Sequence, residues 1–213
     1  MKALALIFLI LVGESVWAQS SARMLSRTGE FKAKKLGVTM QNYTGPAYTS
    51  FSDGSSGYGG EISTDAGGKH LRYFFRARFN RAQGRQDFKK SSTIYNSRYD
   101  FMSFEPELGI SLYPVARNER GLNIYLWGSG HLSYNYLELM NIPSTVTGVD
   151  PKSQDFGSGY GGGVGLEFVI GGSKTAGKFM LYGELGFREN FAPLAGANSF
   201  EISGMTASLG FGF

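Results

Sequence analysis

Along this chain, apolar and polar residues change places at every second position. Leu36, Val38 and Met40 form one apolar row, and a weaker row holds Tyr58, Gly60 and Ile62. Leu71, Tyr73, Phe75, Ala77 and Phe79 follow, then Met102, Phe104, Pro106, Leu108, Ile110 and Leu112. A long row runs from Leu122 through Ile124, Leu126, Gly128, Gly130 and Leu132 to Tyr134 and Tyr136. Tyr160, Gly162, Val164, Leu166, Phe168 and Ile170 make the sixth row; Phe179, Leu181, Gly183, Leu185 and Phe187 make the seventh. The chain closes on Met205, Ala207, Leu209, Phe211 and Phe213. Period-two alternation predicts half-buried β-strands. Several of these segments match a tilted membrane-crossing strand of about 9–11 residues.

The connections add a second pattern. Residues 65–68, 114–121 and 171–177 are short, whereas 44–56, 81–98, 139–157 and 189–200 are longer and polar. Short and long alternate strictly, which requires a strand near 57–64 even though its own signal is weak. An even strand count with alternating turns predicts an all-β, eight-stranded antiparallel transmembrane β-barrel, with both termini on the periplasmic, short-turn side. Closure satisfies every backbone polar group in lipid. Pro106 deletes a ladder hydrogen bond in a sheet without edges, so a bulge is expected there.

Parity then assigns the two faces. The apolar row faces lipid. Tyr134, Tyr136, Tyr160 and Phe187 are expected at the outer rim, and Phe179, Phe211 and Phe213 form a periplasmic aromatic girdle. The opposite row carries the charges: Glu61, Arg72, Arg76, Arg78, Glu105, Glu107 and His131, with Glu167, Glu184 and Arg188. Eight strands enclose a lumen only wide enough for side chains, so these charges must pair. Pairing outward from the short turns sets Glu61 opposite Arg72, Glu105 opposite His131, and Glu107 level with Arg72. The expected buried network joins Glu61, Arg72, Arg76, Glu105 and Glu107. Gly161, Gly163, Gly165, Thr206, Ser208 and Gly210 point inward and leave room for the arginines, Tyr125 and Trp127.

Composition narrows the class. The 213 residues include 31 glycines and 15% aromatics, and carry a net charge of +4. Basic residues are interleaved with acids rather than gathered in a patch, which argues against nucleic-acid binding. There are no cysteines, so a disulfide scaffold and a Cys-ligated zinc site are excluded. Met1–Ala18 reads as a secretory signal peptide: Lys2, an apolar run from Ala3 to Val12, and Val16-Trp17-Ala18 before the cut. Residues 19–34 are expected as a periplasmic tail and 35–213 as the barrel.

With its leader, eight alternating strands, charged interior and terminal Phe213, the mature chain resembles the small outer-membrane barrels of the outer membrane protein A and outer membrane protein X type. The resemblance implies recognition of the ending by the barrel assembly machinery. It also implies outer-membrane lipids, including lipopolysaccharide, as surroundings, and a monomer without cofactor or metal. The glycine often found five residues before the end is Ser208 here. His131-Leu132-Ser133 is similar to part of the site of the outer-membrane lipid A deacylase. Both residues point inward, however, Glu138 lies on the other face, and Tyr134 replaces the asparagine of that motif. Gly157–Gly162 matches a dinucleotide fingerprint only formally, because a strand rather than a helix follows it. The expectation is a non-enzymatic envelope or surface-interaction barrel with a plugged lumen, the alternatives being a narrow pore and, behind it, a lipid A-modifying enzyme.

Overall fold

The computed structural model describes residues 33–43, 56–90, 93–140, 152–170, 179–192, 200–201 and 203–213. The expected signal peptide and most of the expected tail lie outside them. Ala33–Phe213 forms one compact unit. Its strands are β1 (Ala33–Tyr43), β2 (Ser56–Gly67), β3 (Leu71–Lys90), β4 (Thr93–Leu112), β5 (Gly121–Met140), β6 (Lys152–Ile170), β7 (Phe179–Ala192), β8 (Phe200–Glu201) and β9 (Gly204–Gly212). β8 and β9 pair with β7 in one register, Phe191↔Glu201 and Arg188↔Gly204, and so form a single stave. Each stave is antiparallel to its neighbours, and the β1–β9 and β6–β7 ladders close the ring. The protein is a closed eight-stranded antiparallel barrel.

The register fixes its dimensions. Partners followed once around from Ala33 pass through Asp65, Phe74, Gly109, Ser129, Gly161, Arg188 and Gly204. They return to β1 at Tyr43, ten residues along. Eight staves with that stagger tilt by roughly 40° and give a backbone cylinder of about 8 Å radius. The last residue is held in place: Phe213 N–H donates to Lys34 O and Lys34 N–H to Phe213 O, each at 2.9 Å.

Three features depart from the sequence reading. First, 81–90, 93–98, 139–140 and 152–157 are strand rather than loop. The β3–β4 ladder continues to Lys90↔Thr93, and β5 pairs with β6 up to Glu138↔Lys152. The polarity of the strand inverts there while its period persists. Inside, Ala82, Tyr99, Phe101, Leu137 and Leu139 are buried, while Arg81, Gln83 and Lys152 are exposed outside. Second, Pro106 makes no bulge. The β4–β5 ladder lapses at 105–106 and resumes in the same register, Phe104↔Tyr134 before and Glu107↔His131 after, while Pro106 still pairs with Ala77. The missing N–H interrupts one ladder without inserting a residue. Third, the first short turn sits at 68–70 rather than 65–68, with Gly67 at φ 144° allowing the bend that a residue with a Cβ resists.

Candidate functional site

The lumen is where the chain concentrates its polar chemistry. Inward positions on neighbouring strands bring arginines and carboxylates into two stacked clusters. In the larger one, Arg188 reaches across the barrel from β7 to two carboxylates of β4. Its Nη1 lies 2.6 Å from Glu107 Oε2 and its Nη2 2.8 Å from Glu105 Oε2. Arg76 crosses the other way, donating from Nη2 to Glu184 at 2.8 Å. Arg78 Nε donates to Glu61 Oε2 at 2.8 Å, and Tyr182 and Ser208 hydroxyls donate to the same carboxylate. Ser103 donates to Glu105, and Tyr125 donates to Glu184 at 2.7 Å.

The second cluster lies toward the short-turn end. Arg72 pairs with Asp65 at 2.7 Å, Lys35 with Glu167 at 2.7 Å and Asp65 at 3.5 Å, and Arg117 with Glu167 at 2.7 Å. Between the clusters stands an aromatic layer of Phe74, Tyr113, Tyr125 and Trp127. Arg76 lies over Phe74 and Trp127 at 4.8 and 5.6 Å, and Lys35 over Tyr125 and Tyr182 at 5.2 and 5.3 Å. Glycines make room for this layer: a Cβ on Gly165 meets the Tyr125 ring and one on Gly186 meets Trp127. Above the large cluster, Ser133, Asn135 and Asn190 hydrogen-bond one another.

The sequence-derived residues separate as follows. Glu61, Arg76, Arg78, Glu105 and Glu107 meet in the large cluster. Arg72 does not; it belongs to the second cluster, because the turn begins later and draws Asp65 into the strand beside it. Glu61 faces Arg78 rather than Arg72, and Glu107 faces His131 and Arg76. His131 is buried, yet neither ring nitrogen makes a hydrogen bond, so it is not paired with Glu105. Arg188 and Glu184, expected inside but outside the network, are central to it. Lys35, Asp65, Arg117, Tyr113 and Tyr182 were missed as partners. Lys35 carried a signal, since it shares parity with the lumen row. Asp65 was hidden by its place in a turn-like Asp-Ala-Gly-Gly.

Charge is balanced among the described residues of the two clusters. Glu61, Glu105, Glu107, Glu184, Asp65 and Glu167 face Arg76, Arg78, Arg188, Lys35, Arg72 and Arg117. The arrangement fills space and neutralises itself. It lacks a Ser–His pair: Ser133 Oγ donates to Asn190, and His131 touches no hydroxyl partner. No cluster of His, Cys, Asp and Glu among the described residues is suited to a metal ion. At the short-turn end, Phe179 stacks on Phe211 at 6.1 Å and Phe211 on Phe213 at 6.4 Å, all three facing outward.

No protein-family model and no curated protein matches the chain. Among solved structures it is similar to Neisserial surface protein A (16% identity, 87% of this chain and 96% of that one, TM-score 0.44). It is also similar to Ail, the attachment invasion locus protein of Yersinia pestis (13%, 86% and 96%, 0.43). A third is the outer membrane protein OprG from Pseudomonas aeruginosa (11%, 86% and 94%, 0.39). The closed eight-stranded antiparallel barrel itself is given by the chain's own ladders.

Proposed function

We propose that the chain is an integral outer-membrane barrel, non-enzymatic, with a lumen sealed by its own side chains and its outward business at the long-hairpin end. The observation that carries this reading is the inversion of the usual protein. Charged side chains fill the centre, while Val38, Ile62, Leu108, Leu132, Leu185 and Leu209 stand 60–68% exposed around the wall. Exposed apolar area on this scale marks a surface that meets something other than water. Only a closed barrel lets strands meet lipid on every side. The same reading puts the Phe179–Phe211–Phe213 girdle and the termini on the periplasmic side, and places the chain among outer-membrane lipids after delivery by the assembly machinery.

The sealed lumen is the reading that its filling supports. Two ion-paired clusters, the aromatic layer between them and the buried Tyr99, Phe101, Leu137 and Leu139 above support this part of the reading. Flotation with vesicles combined with heat-modifiable gel migration tests the membrane reading. The folded chain is expected to float and to migrate differently before and after boiling. A protein that stays in the aqueous fraction overturns it. Enzyme action is tested by mass spectrometry of lipid A from cells expressing the chain: acyl chains are expected intact, and the loss of one overturns the non-enzymatic reading.

A further inference from the structure

On the outer wall of β3–β6 the chemistry changes within two steps along the strands. The lowest row is aromatic: Phe79, Phe104, Tyr134 and Phe156 are level. The next is mixed: Arg81, Met102, Tyr136 and Gln154. The third is polar: Gln83, Asp100, Glu138 and Lys152. A groove of about 420 Å³ runs up this boundary, with Met102 and Ser103 lining it, Phe79, Phe104 and Tyr134 at its lower end, and Tyr136 and Glu138 at its upper end.

The upper end has a defined charge state. Arg81 grips Asp100 with two hydrogen bonds, Nε to Oδ1 at 3.0 Å and Nη2 to Oδ2 at 2.6 Å, and Gln83 adds a third. Lys152 lies 3.0 Å from Glu138, which also accepts from the Tyr136 hydroxyl. Each cation is already matched to a carboxylate, so a phosphate entering here meets Asp100 and Glu138 as well. What lines the groove at this end is the Tyr136 phenol and the Glu138 carboxylate, above a floor of ring faces and edges. Hydroxyl groups, each donor and acceptor at once, fit that set. Arg98 stands one row higher, beyond the groove, so the test includes an anionic lipid.

We propose that this groove holds a glycolipid of the outer leaflet, with its chain against Phe79, Phe104 and Tyr134 and its uncharged sugar against Tyr136 and Glu138. The proposal rests on the membrane reading given above, which supplies the leaflet.

The test uses the full mature chain folded into phosphatidylcholine vesicles. Separate preparations carry a diglucosyl diacylglycerol or phosphatidic acid, and the readouts are flotation and the midpoint temperature of heat-modifiable migration. The sugar lipid is expected to raise the midpoint by a few degrees through preferential binding to the folded state. That rise is expected to vanish in a Phe104→Leu, Tyr134→Leu, Tyr136→Leu variant and to persist in Phe168→Leu, which alters the other end of the wall. An equal or larger rise with phosphatidic acid overturns the proposal, as does a rise that survives the triple substitution. Flotation without any response to the sugar lipid overturns this inference alone; failure to float overturns the membrane reading and this inference with it.

Discussion

Replacing Arg188 by methionine is the sharpest test of the lumen. Arg188 is 1% exposed and holds both Glu105 and Glu107 from the far side of the barrel. Its loss affects the two carboxylates unequally. Glu107 keeps Arg76 at 3.6 Å and Arg78 at 3.9 Å. Glu105 keeps only the Ser103 hydroxyl at 2.8 Å and no cation within ion-pair distance among the described residues. One buried charge is therefore left uncompensated, and breaking a buried pair in this way costs about 3–5 kcal/mol. That corresponds to roughly two to four powers of ten in the folding equilibrium. Urea titration of vesicle-folded protein, read by gel migration, measures it. Adding Glu105→Gln to Arg188→Met is expected to recover most of the loss, since the orphaned charge is gone. A single variant that loses less than about 1 kcal/mol refutes the reasoning, because the clusters then behave like a screened surface. Failure of Glu105→Gln to rescue refutes it separately.

The packing of the aromatic layer makes a paired prediction. Gly165→Ala drives a methyl into the Tyr125 ring, whereas a Cβ on the outward Gly183 meets nothing closer than 3.8 Å. The first is expected to lose about 1–3 kcal/mol by overpacking and the second to behave like wild type in the same titration. Outside the membrane-spanning part, hydrogen bonds from Arg81 hold the Asp100 carboxyl below its ordinary range, and those from Lys152 do the same for Glu138. A depressed carboxylate pKa stabilises the fold above the unfolded-state value, and that contribution is lost as pH falls through the folded one. Carboxyl chemical shifts followed by NMR are expected to titrate below the ordinary carboxylate range for both Asp100 and Glu138; ordinary values contradict the pairing.

Strand faces were legible in the sequence because parity is a local property. The inward placement of Glu61, Glu167, Glu184 and Arg188 needed only the alternation, and the strand near 57–64 needed only the rhythm of the connections. Register was not legible. Counting outward from Asp-Ala-Gly-Gly placed the turn three residues too early for β3, because Asp65 continues the strand and Gly67 makes the bend. That shift replaced Arg78 with Arg72 opposite Glu61. Contacts across the barrel, such as Arg188 with Glu105, depend on the ten-residue stagger summed over every ladder, which no single segment encodes. The long hairpins were hidden for another reason. Where the wall leaves the apolar band, polar residues move to the outer face, and a strand that has inverted its faces reads as a polar loop.

Single-channel recording in a planar bilayer decides whether this membrane barrel conducts. Protein that floats with vesicles and migrates heat-modifiably is expected to leave the bilayer silent. Arg188→Met, if it folds, is expected to be the variant that first admits current, because it opens the bridge across the lumen. Reproducible openings of the wild type, with conductance altered by replacing Arg76 or Glu107, would contradict the sealed lumen.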